Sequence, residues 1–162
     1  MITVRIQIEN GPVLDTHEGW GFIYKVGDRR FAPPEKKRAS TSYAEQPGAN
    51  EDPRTVDDVF DYKVNFLLET PNKNLVNANA KIKAWNDAVR EKTPGSDVKR
   101  CKRVTLYDDY KRCKIVGIPE IIESADEDDY YRRQNGSAMD CVIVELTIHV
   151  SDPTLCDFNM SV

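Results

Sequence analysis

A chain of 162 residues is long enough to bury a sizeable core in one domain without disulfides or metal. Its formal net charge of −4 argues against a free nucleic-acid-binding protein, which usually carries a clear basic excess. No stretch approaches the roughly 18 apolar residues of a membrane span, and the first residues lack the pattern of a signal peptide.

Alternating apolar and polar residues predict two strands near the N-terminus. The first covers residues 2–8, and the turn-forming sequence Asn10-Gly11-Pro12 ends it. The second covers residues 20–26, beginning at Trp20, and Gly27-Asp28 forms a turn after it. Each strand has one apolar face, so each is expected to lie against a core.

Residues 29–55 have a different composition from the strands that precede them. The segment contains Pro33-Pro34 and the charged run 35–38, with few apolar residues and no period. A structureless stretch of this length is unusual inside a compact domain and is typically functional or disordered. Two interpretations stay open: a flexible surface loop, or an arm that becomes ordered against a partner.

A third strand is predicted over residues 59–69. Val64, Phe66 and Leu68 form one apolar face, and the alternate positions are mainly polar. Leu67 falls on the polar face, so we expect that face to be partly covered.

The best predicted helix follows this strand. Its apolar residues recur at spacings of three and four: Leu75, Ala78, Ile82, Trp85 and Val89. Asn72 or Asn74 is suited to cap its start, and Pro94-Gly95 is expected to close it. One apolar stripe implies one buried face, which we expect to pack on the sheet with Trp85 as its anchor.

A hairpin is predicted next in the chain. Residues 103–107 form a short strand, Asp108-Asp109 provides the turn, and residues 111–122 form a longer strand interrupted by Gly117 and Pro119. Proline cannot donate a hydrogen bond to a strand ladder, so Pro119 indicates an edge or a bulge.

The last predicted strand, over residues 141–150, has the strongest alternation in the chain. Residues 124–136 before it are predicted to form a loop, and residues 154–162 a C-terminal tail. Residues 1–153 are therefore expected to form a single α+β domain. Its predicted fold is a mainly antiparallel β-sheet or sandwich with one amphipathic helix packed on it and a long loop at 29–55.

The cysteines and glycines give no indication of a cofactor or of covalent chemistry. None of the four cysteines forms a C-x-x-C pair, and we expect reduced, structural thiols at Cys101, Cys113, Cys141 and Cys156. The sequence lacks a phosphate-binding loop and a G-x-S-x-G hydrolase motif. We therefore predict no cofactor.

The titratable residues do not predict a catalytic or metal site either. His17 lies in a predicted loop and His149 on the outer face of the last strand, and neither has a second ligand at metal spacing. The acidic run 126–129 lacks the glycine and distal glutamate of an EF-hand. We therefore expect no metal site and a protein that is not an enzyme.

Two basic clusters, 99–103 and 111–114, flank the predicted hairpin. If the two strands pair around the Asp108-Asp109 turn, the clusters are expected to face each other. Three interpretations remain open. The patch is a solvated face balanced by the acidic loop 123–129, a subunit contact in which basic hairpin meets acidic loop, or a nucleic-acid surface.

The organisation of residues 59–153 resembles small virion proteins of tailed bacteriophages, especially tail, hub or neck-ring components. The resemblance is carried by the strand 61–68, the helix with Ile82 and Trp85, the strands 103–107 and 114–119, and the closing strand 144–153, which ends in Asp-Pro. It is a similarity of pattern, and no signature residue is carried over.

The resemblance implies a non-enzymatic structural subunit that forms a homo-oligomeric ring through loop and edge-strand contacts. The first predicted strand, residues 2–8, is expected to be such an edge and to pair across subunits. Its implied partners are copies of itself and other virion proteins, without a membrane or specific nucleic acid. Its implied location is the virion, after synthesis in the bacterial host cytoplasm. The alternative is a monomeric protein- or ligand-binding module encoded by a bacterium or prophage. The interface residues predicted on this basis are Arg29, Arg30, Phe31, Lys36, Lys37, Arg38, Tyr43, Lys111, Arg112, Asp126, Asp128 and Asp129.

Overall fold

The computed structural model describes residues 4–25, 40–42, 49–51 and 58–160. Its helices are α1 (Thr16–Trp20) and α2 (Leu75–Val89), with short 3-10 turns at Pro71–Lys73, Glu127–Asp129 and Pro153–Leu155. Its strands are β1 (Val4–Ile8), β2 (Val13–Asp15), β3 (Ile23–Lys25), β4 (Ser40–Ser42), β5 (Ala49–Glu51), β6 (Phe60–Glu69), β7 (Arg90–Lys92), β8 (Lys99–Cys101), β9 (Val104–Asp108), β10 (Cys113–Pro119), β11 (Tyr130–Arg132) and β12 (Ala138–Val150).

One eight-stranded antiparallel sheet dominates the fold. Its strand order is β2-β1-β9-β10-β12-β6-β3, and β11 pairs with β12 beside this path. Two separate ribbons, β4–β5 and β7–β8, complete the described strands. The predicted fold class, a mainly antiparallel sheet with one main helix, is confirmed.

The centre of the sheet is the long pairing of β6 with β12, which continues without a register shift from Cys141 opposite Glu69 to Val150 opposite Phe60. The apolar residues on one face of each strand are buried, as their alternation predicts. Leu67, on the other face, is half-buried as expected.

Strand β10 joins the two halves of the sheet. It pairs with β9 up to Gly117, and with β12 at Ile118 and Pro119. A Cβ atom on Gly117 would overlap the carbonyl oxygen of His149 and lie 2.8 Å from Ile148 Cγ2, so this crossing requires glycine. Pro119 lies beyond the end of the β9 pairing, in the edge-like position that its missing N–H predicts.

Helix α2 contributes its apolar stripe to the core. Asn74 caps its start by accepting a hydrogen bond from the backbone N–H of Val76. Trp85 is fully buried, 5.2 Å from the ring of Trp20 at an interplanar angle of 89° and 6.0 Å from the ring of Phe22. The predicted anchor is therefore confirmed, with edge-to-face packing that adds to its buried area.

The prediction of a strand starting at Trp20 is wrong, because Trp20 ends helix α1. Asp15 caps this helix by accepting hydrogen bonds from the backbone N–H groups of His17 and Glu18. Gly21 ends it in the left-handed conformation, with φ 73°. His17 consequently lies on a helix rather than in a loop.

The predicted end of α2 is also displaced. The helix ends at Val89 and continues directly into β7, so Pro94-Gly95 forms the turn between β7 and β8 instead of closing the helix. The predicted loop 124–136 contains β11, which pairs with β12. Residues of the predicted tail pack against β10, where Asp157 and Lys114 exchange backbone hydrogen bonds of 2.6 and 2.9 Å.

Candidate functional site

The most densely bonded polar group of the described residues is the buried carboxylate of Asp108, at the end of β9. It accepts hydrogen bonds from the hydroxyls of Tyr62 (2.7 Å) and Tyr24 (3.0 Å). It also accepts from the backbone N–H groups of Tyr110 (3.1 Å) and Lys111 (3.0 Å). The carboxylate thus fixes the β9–β10 turn and ties it to β6 and β3.

Burial and the charge of Asp108 determine the protonation of its neighbours. Burial, followed by the nearby carboxylate, raises the pKa of the Tyr62 and Tyr24 hydroxyls, so both remain hydrogen-bond donors. Burial raises the pKa of the Cys113 thiol to about 11, which disfavours the nucleophilic thiolate. Protonated phenols and a protonated thiol suit a structural hydrogen-bond network.

The other cysteines are also free thiols. Cys113 is buried, as predicted, whereas Cys141 is only partly buried. Burial raises the pKa of the Cys141 thiol as well, with a further contribution from Asp140. Cys156 accepts a hydrogen bond at its sulfur from the backbone N–H of Val116, at 3.3 Å.

His149 forms the second polar cluster, on the outer face of β12. Its Nδ1 contacts the carboxylate of Asp61 on β6, and its Nε2 lies 2.8 Å from Oε1 of Glu120, just after β10. Hydrogen bonding to Asp61 raises the pKa of the imidazole, and Glu120 adds to this effect. The side chain is 45% exposed, so this cluster is a solvated ion-pair bridge across three chain segments.

Within the part of the chain that the structure describes, no group of three or more His, Cys, Asp or Glu residues could hold a metal ion. The carboxylates of the acidic run 126–129 instead bond the backbone of their own turn. The Asp126 carboxylate accepts a hydrogen bond from the backbone N–H of Asp128, and the Asp129 carboxylate accepts one from the backbone N–H of Asp126. These carboxylates therefore cap the 3-10 turn before β11.

The two basic clusters do not face each other as predicted. The β9–β10 register sets Lys114 opposite Tyr107, so 111–114 lies at the turn end of the hairpin and 99–103 lies beyond its other end. Arg100 is engaged elsewhere, in ion pairs with Glu91 and Glu9. The prediction failed because the strand register separates the clusters by the whole length of β9.

Five predicted interface residues lie in the described part of the chain. Lys111 and Arg112 belong to the β9–β10 turn, and Asp126, Asp128 and Asp129 form the acidic turn before β11. The other seven lie outside the described residues: Arg29, Arg30, Phe31, Lys36, Lys37, Arg38 and Tyr43.

Two asparagines on α2 hold the segment 122–125, a contact that the sequence analysis missed. The amide of Asn86 donates to the carbonyl of Ile122 (2.8 Å) and accepts from its N–H (3.0 Å). The amide of Asn79 makes the same paired contact with Ala125, at 3.3 and 2.8 Å. The only available signal was the pair of asparagines two helical turns apart on the flank of the apolar stripe.

The outer edges of the main sheet are β2 and β3. Strand β1, which we predicted as an edge, lies between β2 and β9 and is therefore paired on both sides. On β2 the side chains of Val13 and Leu14 are 45% and 37% exposed. The sheet thus ends in an apolar, solvent-facing strand.

Comparison with known proteins gives no relative: no family model, no curated protein and no solved structure matches this chain. None of the helices among the described residues is long and apolar enough to cross a membrane.

Proposed function

We propose that this chain is a non-enzymatic structural subunit of a bacteriophage tail or connector assembly, which forms a homo-oligomeric ring through loop and edge-strand contacts. Its partners are copies of itself and other virion proteins. The single observation that supports self-association is the exposed apolar edge strand β2.

An exposed apolar edge offers unpaired backbone groups and hydrophobic side chains to another chain. Strand β2 pairs with β1 on one side and has no described strand on the other. Leu14 also lines a small apolar cleft of about 140 Å³ with Ile6, Ile8 and Trp20. Natural sheets usually protect such an edge, and contact with a second subunit provides that protection.

The alternative function is a monomeric module that binds a protein or ligand. It is favoured by an open groove of about 570 Å³ along α2. The groove is lined by Val76, whose exposed fraction is 69%, together with Ala80, Lys83 and Asp87. A monomer that binds through this groove would leave β2 exposed at all concentrations.

Light scattering coupled to size-exclusion chromatography separates the two functions, with Val13→Lys as the test variant. A lysine on the edge strand should shift the assembly to monomers, because a charge there opposes strand pairing. Val98→Lys is the matched control, since Val98 is 67% exposed in the turn between β7 and β8. A wild-type chain that remains monomeric at high concentration, or equal loss of assembly in both variants, contradicts the proposal.

A further inference from the structure

Strand β12 has an open stretch on the side opposite β6. On this side β11 pairs with it as far as Val142, and β10 pairs only with Ile148 and His149. The one further bond runs from the N–H of Glu120 to the carbonyl of Thr147. No described strand therefore pairs with residues 143–146 on this side, a gap of about 14 Å at 3.4 Å per residue.

The backbone of Glu145 points into this gap. The β6–β12 register is continuous, so the backbone groups of alternate residues point to the same side of β12. Thr147 directs its carbonyl away from β6, towards Glu120. Glu145, two residues earlier, therefore presents its N–H and C=O on that side, where a strand of three or four residues is missing.

The segment opposite this edge cannot fill the gap, because it is committed to α2. Ile122 and Ala125 use their backbone groups in the paired contacts with Asn86 and Asn79. A groove of about 360 Å³ remains between the segment and the edge, and we call it the β12 slot. It is lined by residues 120–124, by Asp126 and Asp129, and by residues 143–147 except Leu146.

The β12 slot is acidic and contains an unpaired hydroxyl. Five carboxylates line it: Glu120, Glu123, Asp126, Asp129 and Glu145. Thr147, a residue only 6% exposed, also lines it, and its hydroxyl makes no hydrogen bond with any residue that the structure describes. An unpaired strand edge, a hydroxyl that reaches the groove without a described partner and several carboxylates together fit an extended basic peptide.

The two basic clusters of the described chain already belong to other paired strands and turns. Lys99–Cys101 pairs with β7, and residues 111–114 form the turn end of the β9–β10 hairpin. The longest basic run elsewhere is 36–38, outside the described residues.

We propose that the β12 slot of one copy receives the basic segment around residues 36–38 of a second copy as an added strand. This contact rests on the proposed function, because it joins a slot on one subunit to a segment on the next and so generates a ring. Backbone hydrogen bonds to Glu145 fix the register of the added strand, and the carboxylates select its charge.

A mixing experiment tests the contact in the full chain. The slot loses its attraction for a basic strand in the double variant Glu123→Lys/Glu145→Lys, which we call the slot-inactivated chain. The segment loses its positive charge in the triple variant Lys36→Glu/Lys37→Glu/Arg38→Glu, which we call the segment-inactivated chain. Each variant alone should lose the ring and keep at most the contact through β2. Their mixture should give a larger complex by light scattering, because the segment of one variant still fits the slot of the other. Glu18→Lys/Asp97→Lys, at exposed acidic positions outside the slot, is the control and should assemble as the wild type does. A mixture no larger than the separate variants, while the wild type forms the ring, overturns the proposal.

A synthetic peptide of residues 33–42 separates this inference from the proposed function. It should bind the segment-inactivated chain and lose about tenfold in affinity on the slot-inactivated chain. N-methylation of every second peptide nitrogen removes the donors on one side of the bound strand. It should abolish binding when those nitrogens face the β12 edge, and leave binding unchanged when the other set is methylated. Peptide binding by a chain that never assembles would support the slot while refuting the ring. Absence of peptide binding at low salt, with assembly intact, would refute the slot alone.

Discussion

Replacement of Asp108 by alanine should be among the most destabilising single substitutions of a polar residue in this protein. It removes an acceptor that satisfies four donors, two of them the hydroxyls of Tyr62 and Tyr24. Tyr62 is fully buried, so water cannot replace the lost bond there, whereas the N–H groups of Tyr110 and Lys111 are only partly buried. We expect the free energy of unfolding to fall by about 3–5 kcal/mol, as when a buried charged network loses one member.

Urea unfolding followed by tryptophan fluorescence measures this change, because Trp85 lies in the core and Trp20 packs against it. Tyr62→Phe should cost about 1.5–3 kcal/mol and Tyr24→Phe less, since Tyr24 is only half-buried. Asp97→Ala, which removes an exposed turn carboxylate, is the control and should cost under about 1 kcal/mol. If Asp108→Ala costs no more than this control, or Tyr24→Phe costs more than Tyr62→Phe, the network does not stabilise the fold as described.

Two further predictions concern the junction of the sheet halves. Hydrogen bonds and charge from Asp61 and Glu120 raise the pKa of His149 above its ordinary value of 6.5. The protonated imidazole should therefore stabilise the fold fully below about pH 6.5. This stabilisation should be lost as the pH rises through the raised pKa of the folded state. Because the imidazole is 45% exposed, we expect only about 0.5–1 kcal/mol, measured as the pH dependence of urea unfolding that His149→Gln abolishes. Gly117→Ala should lower the free energy of unfolding by at least about 2 kcal/mol, because the added methyl overlaps the β12 backbone.

Each of these predictions has a control in the same chain. His17→Gln removes the other histidine and is the control. If it alters the pH dependence as much as His149→Gln does, the dependence does not arise from the His149 bridge. In Gly95→Ala the added methyl meets no atom within 4 Å, so only the positive φ of 75° contributes, about 1 kcal/mol. Equal costs at Gly95 and Gly117 would show that close approach of β10 and β12 is not what requires glycine.

The long, regular elements were predictable because many residues repeat one pattern. Strands β6 and β12 each alternate over nine or ten positions, and α2 repeats its apolar stripe over four turns. Such repetition outweighs single exceptions such as Leu67 on the polar face of β6. Burial of one face then follows from the pattern alone.

Short elements and long-range contacts were not predictable in the same way. Helix α1 has only five residues, too few for a period, although Asp15 before it and Gly21 after it are cap signals that would have revealed it. Tyr24, Tyr62 and Asp108 are far apart in sequence, so only the folded sheet brings them together. The same holds for the strand order, in which β2 rather than β1 becomes the edge.

The paired amide contacts of Asn79 and Asn86 give helix α2 a mechanical connection to the surface. Each asparagine side chain holds one residue of the segment 122–125, donating to its C=O and accepting from its N–H. A strand that binds in the β12 slot therefore lies against a segment that is anchored to the helix at two points along its axis. The same helix is held in the core by Trp85, so the wall beside the open edge of β12 is joined to the hydrophobic core.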